Sequence, residues 1–173
     1  MSGHSSAPVR AWLGLGGNIG DPAAAMAAAL RALDADPDIQ LVAVSSLYRT
    51  PPWGMADQPD FLNAVAALDT KLSARQLLNL CLDIEKSLKR VRQERWGPRL
   101  IDLDILVFGD QRLDEDGLQV PHPRMLERAF VLLPLAEIAA EMELAGRNVA
   151  GWADEVDAAG IERLEGGSNW WRD

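Results

Sequence analysis

The sequence predicts an α+β domain in which one mostly antiparallel sheet carries helices packed on it. Two observations point there. Apolar residues change period along the chain in the order strand, helix, strand, strand, helix, strand, and each change coincides with a turn or a cap. At 173 residues with 48% hydrophobic side chains, the chain can bury one core, so a single domain is expected over 9–173 behind a flexible start at 1–8.

VRAWLGLG reads as the first strand. GGNIGDP follows as a glycine turn that ends in Asp21 as helix N-cap, with Pro22 at the first helical position, where its missing N–H costs nothing. Met26, Leu30 and Leu33 recur at helical spacing until DADPD stops the helix. LVAVSSLYRT and FLNAVAALDT read as two strands joined by the loop PPWGMADQPD. Ser73 and Gln76 form a capping box, and Leu77, Cys81, Ile84 and Leu88 make the buried stripe of a second helix that frays near Arg92. QERWGPR is a second loop, LIDLDILVF the last long strand, and GDQRLDEDGLQVP a small hairpin. RMLERAFVLLPLAEIA is helical, and Pro134 must start, kink or end that helix. From about Met142 onward periodicity is weak, and 142–173 is expected as a peripheral packed C-terminal segment. The order of elements is the split βαβ pattern, βαββαβ, of ferredoxin-like domains.

Composition narrows the function. A net charge of -9 argues against a general nucleic-acid binder, which needs a positive surface to displace counterions. No apolar run is long enough to span a bilayer and the start lacks the features of a leader, so a cytoplasmic protein without a membrane partner is expected, as a monomer. The one cysteine, Cys81, falls on an apolar helical stripe and reads as core. Between Lys86 and Arg99, six basic residues face one acid, a local charge of +5 suited to a small polyanion.

The chemistry concentrates in DLD. Side chains two apart in a strand share a face, so Asp102 and Asp104 lie side by side, separated by about 6.5 Å along the chain. Ile101, Leu103 and Ile105 face the other way, into the helix layer. Parallel carboxylates repel and resist desolvation; a divalent cation between them is the plainest remedy, and hard oxygen ligands favour Mg²⁺. On these aspartates alone, the solvated face of an edge strand fits equally well. Arg90, Arg92, Arg95 and Arg99 nearby add planar forks that suit phosphate oxygens, and carboxylates, metal and arginines together are what phosphoryl transfer requires. GLGGNIG misses the dinucleotide fingerprint and reads as a tight turn beside a ligand. His122, held between two prolines, either touches a phosphate or caps its turn. A binding module without catalysis on the same sheet, for instance one for RNA, is the alternative; the acidic total and the lack of an aromatic RNA-binding pattern weigh against it.

YRTPPWG, DQPDFLNA, VRQERWGPRLIDLDIL and VPHPRMLERAF, in that order, resemble the 6-hydroxymethyl-7,8-dihydropterin pyrophosphokinases of folate biosynthesis, over about Ala11 to Ala139. The resemblance implies a ferredoxin-like fold and transfer of pyrophosphate from ATP to the hydroxymethyl group of the pterin, releasing AMP. It implies that Asp102 and Asp104 bind two Mg²⁺ ions bridging the ATP phosphates. It further implies that Glu85, Arg90, Arg92, Trp96, Arg99, Ile105, His122 and Arg128 hold the nucleotide, with Arg90 and Arg99 the catalytically weighted pair. The pterin would stack between Phe61 and Phe130, its polar edge read by Asn63 and the Thr50, Pro51 and Trp53 stretch. Asp102 is a candidate acceptor for the hydroxyl proton, water being the other route, and the two long loops are expected to close over the site. The chain departs from the family pattern at Phe61, at Pro123 and in a shorter 93–95 loop.

Overall fold

The computed structural model describes residues 7–51, 59–92 and 101–172, and of residues 89–92 the backbone alone. β1 (Val9–Gly17) runs through the middle of the main sheet, with β4 (Phe61–Thr70) on one side and β5 (Asp102–Phe108) on the other, both antiparallel to it. β2 (Ile39–Val44) and β3 (Tyr48–Thr50) pair with successive halves of β4, and β10 (Glu162–Arg163) adds an edge to β3. This is the ferredoxin-like order expected from the sequence, carried by α1 (Pro22–Asp34) and α2 (Ala74–Arg92) on one face.

The helices begin where the caps dictate. Asp21 Oδ1 accepts the Ala24 N–H at 3.1 Å ahead of Pro22. Ser73 Oγ accepts the Gln76 N–H at 3.1 Å while Gln76 Oε1 accepts the Ser73 N–H at 2.9 Å, a complete capping box. Met26, Leu30 and Leu33 of α1 and Leu77 and Cys81 of α2 are fully buried against Leu13, Leu15, Leu103 and Ile105 of the sheet. Burial of each large aliphatic side chain there contributes about 1.5–3 kcal/mol.

Three features refine the simplest reading of the sequence. The single strand expected over LVAVSSLYRT is interrupted at residues 45–47. There the Ser45 hydroxyl accepts the Val65 N–H at 2.9 Å in place of a ladder bond, and the Ser46 N–H turns to a side chain instead of the sheet. Pro134 lies inside α3 (Ala129–Ala139), where its lack of an N–H leaves the Phe130 carbonyl without the usual helical partner. And α3 packs on the face opposite α1 and α2: Val131 and Leu135 meet Val65, Leu106 and Val107 in a second cluster. A bulge makes this fit. Trp12 pairs with Val107 and Leu13 with Ile105, so Leu106 is extra, and Leu106 and Val107 both turn to the α3 side while Phe108 returns to the main core.

β6 (Leu113–Glu115) and β7 (Leu118–Val120) form the expected hairpin, and a 3₁₀ turn at Met125–Glu127 leads into α3. After Met142 come a two-residue hairpin of β8 (Glu143–Leu144) and β9 (Arg147–Asn148), α4 (Val149–Glu155) and β10. Trp171 is buried in the main core, its carbonyl accepting from Arg31 Nη1 at 2.9 Å, and Trp170 Nε1 donates to the Ser45 carbonyl at 2.8 Å. Among the described residues no helix is long and apolar enough to cross a membrane.

Candidate active site

On the face against which α3 packs, part of the sheet is left open. That part is the floor of a cleft of ≈ 370 Å³. The alternation of β1 explains why the floor is sunken: Leu13 and Leu15 point into the main core, so the opposite face carries Gly14 and Gly16, which have no side chains to fill it. GLGGNIG suggests a tight turn and VRAWLGLG a strand; the structure sets Gly14 and Gly16 within β1, with W-x-G-x-G on one face and L-x-L on the other. Gly20, with φ of 66°, does occupy the turn that follows.

The register sets what stands on either side. Gly16 pairs with Asn63 on β4 and with Asp102 on β5; Gly14 pairs with Val65 and with Asp104. Both carboxylates therefore project from the cleft face of β5, Asp102 half-buried and Asp104 exposed, while Ile101, Leu103 and Ile105 are buried behind them. Adjacent strands lie about 4.8 Å apart, so Asn63 and Asp102 stand about 10 Å apart across β1.

Asn63 is buried, and its Nδ2 donates to Thr50 Oγ1 at 3.1 Å, which orients the amide. Thr50 pairs with Phe61, and Pro51 extends the rim. Phe130, in the first turn of α3, lines the same cleft, with the Arg128 guanidinium 5.5 Å from its ring centroid. Thr50, Pro51, Phe61, Asn63, Phe130, Asp102, Asp104, His122 and Arg128 thus share one cleft.

His122 follows the cis Val120–Pro121 peptide, and its N–H donates to the Leu106 carbonyl at 2.8 Å, tying the turn to β5. Its Nδ1 accepts the Arg124 N–H at 3.2 Å, so the ring caps its turn. Burial, with Arg128 and Arg124 adding to it against the pull of Asp104, holds the imidazole below its usual pKa and neutral at pH 7. A second hollow, of ≈ 570 Å³, meets the first at Asp104 and His122 and is lined further by Leu78, Ile105 and Leu118. Ile105 itself is buried in the main core.

Glu85 braces β5 from the helix side. Its Oε2 accepts the Leu103 N–H at 2.7 Å, satisfying the outer edge of β5 between the two aspartates. Cys81, one turn earlier, is sealed: burial, reinforced by Glu85 and Asp104, pushes its thiol up to about 12, consistent with a core residue. Arg90 and Arg92 fall in the last turn of α2. Trp53, Arg95, Trp96 and Arg99 lie outside the described residues, as do most of the loop after Pro51 and all of 93–100.

Among the described residues no group of three or more histidine, cysteine or acidic side chains could hold a metal ion alone. Two carboxylates on one strand face fit a cation that completes its shell from water and substrate phosphates, which is the habit of Mg²⁺.

Residues 12–140 match the family model of the 7,8-dihydro-6-hydroxymethylpterin-pyrophosphokinases. The chain belongs to this family. The 2-amino-4-hydroxy-6-hydroxymethyldihydropteridine pyrophosphokinase of Methylorubrum extorquens is 51% identical to it, over 90% of this chain and 99% of the relative. The Pseudomonas aeruginosa enzyme of the same name is 49% identical, over 91% and 98%. Among solved structures, HPPK-DHPS of Plasmodium falciparum superposes on 88% of this chain with a TM-score of 0.69 at 15% identity, a likeness of fold. The chain spans 44% of the length of that neighbour.

Proposed function

We propose that this chain transfers pyrophosphate from ATP to 6-hydroxymethyl-7,8-dihydropterin, and that the cleft floored by β1 is where the two substrates meet. The observation that carries the reading is the row Asn63, Gly16, Asp102: a flat cradle on one side of a bare strand, a carboxylate pair on the other, in one cleft. Phe61 and Phe130 take the two faces of the pterin, and Asn63, which can both donate and accept, reads its edge together with Thr50, Pro51 and Trp53. Asp102 and Asp104 hold Mg²⁺, two ions in this reading, on the ATP side. When bound, the metal neutralises charge on the bridging and leaving phosphate oxygens.

The adenosine end of ATP occupies the second hollow, over Ile105 and beside His122, which borders both spaces. Glu85 supports that side by fixing the edge of β5. Arg92, Trp96 and Arg128 complete the grip on the nucleotide. Arg90 and Arg99 meet the oxygens on which charge accumulates as the reaction proceeds. The substrate hydroxyl attacks the β-phosphorus, the bond from that phosphorus to the α,β-bridging oxygen breaks, and AMP leaves; the hydroxyl proton goes to Asp102 or to water. In this reading the protein works as a cytoplasmic monomer with small-molecule partners; its acidic total disfavours nucleic acid as a further partner.

The test is AMP formation from ATP by purified protein. It should require both 6-hydroxymethyl-7,8-dihydropterin and Mg²⁺. AMP release at the same rate without the pterin, or none with both present, would reject the reading.

A further inference from the structure

Glu137 lies outside the cleft, in the last turns of α3, yet it gathers four donors. Its Oε1 accepts the Ser46 N–H at 3.0 Å and the Tyr48 hydroxyl at 2.9 Å. Its Oε2 accepts the Ser46 hydroxyl at 2.9 Å and Arg163 Nη2 at 3.2 Å. The Ser46 N–H is available because the strand is broken there, and Arg163 arrives because β10 pairs with β3, setting Arg163 opposite Tyr48. Leu164 N–H donates to the Leu47 carbonyl at 2.8 Å, so the C-terminal segment grips the same stretch from outside. Hydrogen bonds to a charged acceptor are roughly twice as strong as neutral ones, and this carboxylate is mostly buried.

Both elements so joined line the cleft. Two residues beyond Tyr48, β3 ends in Thr50, which holds the Asn63 amide; two turns before Glu137, Phe130 stands in the first turn of α3. The carboxylates Asp102 and Asp104 stand on β5, which no bond of this network reaches. We propose that Glu137 is a positioning residue that sets the width and pitch of the slot between the Thr50 rim and Phe130, and so governs binding of the flat acceptor but not of ATP. The inference rests on the acceptor lying at that end of the cleft. Tyr48 fits the scheme as a permanent donor, since burial and the neighbouring carboxylate hold its hydroxyl well above the usual phenol pKa.

Steady-state kinetics of full-length Glu137→Gln test it, with each substrate varied in turn. The acceptor KM should rise about tenfold while the ATP KM stays within about twofold. A purely structural role would instead lower the active fraction, and with it the apparent kcat, leaving both KM values alone. That result, or a parallel rise in both KM values, overturns the inference. Tyr48→Phe and Arg163→Ala each remove one donor; they should shift the acceptor KM in the same direction by about two- to fivefold, and they decide the matter if Glu137→Gln does not fold. Asn63→Ala separates the two layers. If it raises the acceptor KM while the clamp variants do not, the clamp alone is wrong; if it leaves the acceptor KM unchanged, the placement of the acceptor and this inference fall together.

Discussion

The Asn63 amide lies directly over Gly16: a Cβ added to Gly16 would sit 2.7 Å from Asn63 Oδ1. Two residues earlier on the same face, a Cβ on Gly14 would meet only Leu106 methyls, at 3.5 Å, an ordinary contact. Gly16→Ala should therefore push the amide off Thr50, destabilise the fold by about 1–3 kcal/mol and raise the pterin KM. Gly14→Ala should keep or slightly improve stability, because glycine inside a strand costs about 0.5–1 kcal/mol relative to alanine. Denaturant unfolding of both variants checks this. Equal stabilities would show that Gly16 is not held by its neighbour.

Asp104 is exposed and Asp102 half-buried on the cleft face of β5. Replacing an exposed strand carboxylate by an amide touches little of the core, so Asp104→Asn should keep its unfolding free energy within about 0.5 kcal/mol. Turnover should fall at least about a hundredfold, as expected when charge stabilisation worth several kcal/mol is removed. Magnesium titration of the rate should separate the variant from the parent; activity near that of the parent would contradict the assignment.

Phe130 contributes one ring face to the cleft and carries Arg128 5.5 Å from its centroid. An aromatic pair is worth about 0.5–1.5 kcal/mol beyond area burial, so Phe130→Leu should weaken pterin binding by about three- to tenfold. Phe61→Leu should do the same, and calorimetric titration with pterin in the presence of a non-hydrolysable ATP analogue measures both. Unchanged affinity in both variants would remove the stacking role.

Burial lowers the pKa of His122 in the folded protein below its ordinary value near 6.5. From about pH 6.5 down to the lowered folded value, the unfolded chain takes up a proton that the native state resists, so folding stability falls as acid is added. In metal-free buffer the parent should lose more stability than His122→Gln between about pH 7.5 and about pH 5.5. Equal losses in the two proteins would mean that His122 does not contribute.

Trp171 is only 5% exposed and sits among the α1 and sheet residues of the main core. Trp171→Ala should cost about 3–5 kcal/mol in chemical unfolding, the range for truncating a buried aromatic. A loss below about 1 kcal/mol would mark the C-terminal segment as dispensable.

What could be read from the sequence was local. Asp21 with Pro22, and Ser73 with Gln76, announce their helices because a cap is satisfied within one turn. The shared face of Asp102 and Asp104 follows from the two-residue period of a strand. What could not be read needed partners distant in the chain. The break at residues 45–47 depends on Val65 and Glu137, and α3 chooses its face because the bulge at Leu106 supplies an apolar patch there. Trp170 and Trp171 have no periodic neighbours to signal burial; they are placed by Ser45 and Arg31. The candidate acceptor-binding residues follow from family resemblance alone, whereas the bare floor at Gly14 and Gly16 lies in the alternation of β1, which a reading of GLGGNIG as a turn obscures.

The chain has a single thiol, and the Cys81 side chain is walled in with its ionisation suppressed. Maleimides and other thiolate-seeking reagents should pass the native protein by. A cysteine introduced at an exposed position ahead of the hairpin such as Gln111 would then be the only reactive sulfur in the molecule. Fluorophores or spin labels could be installed there with no background, turning an inert core residue into a convenience for watching the enzyme at work.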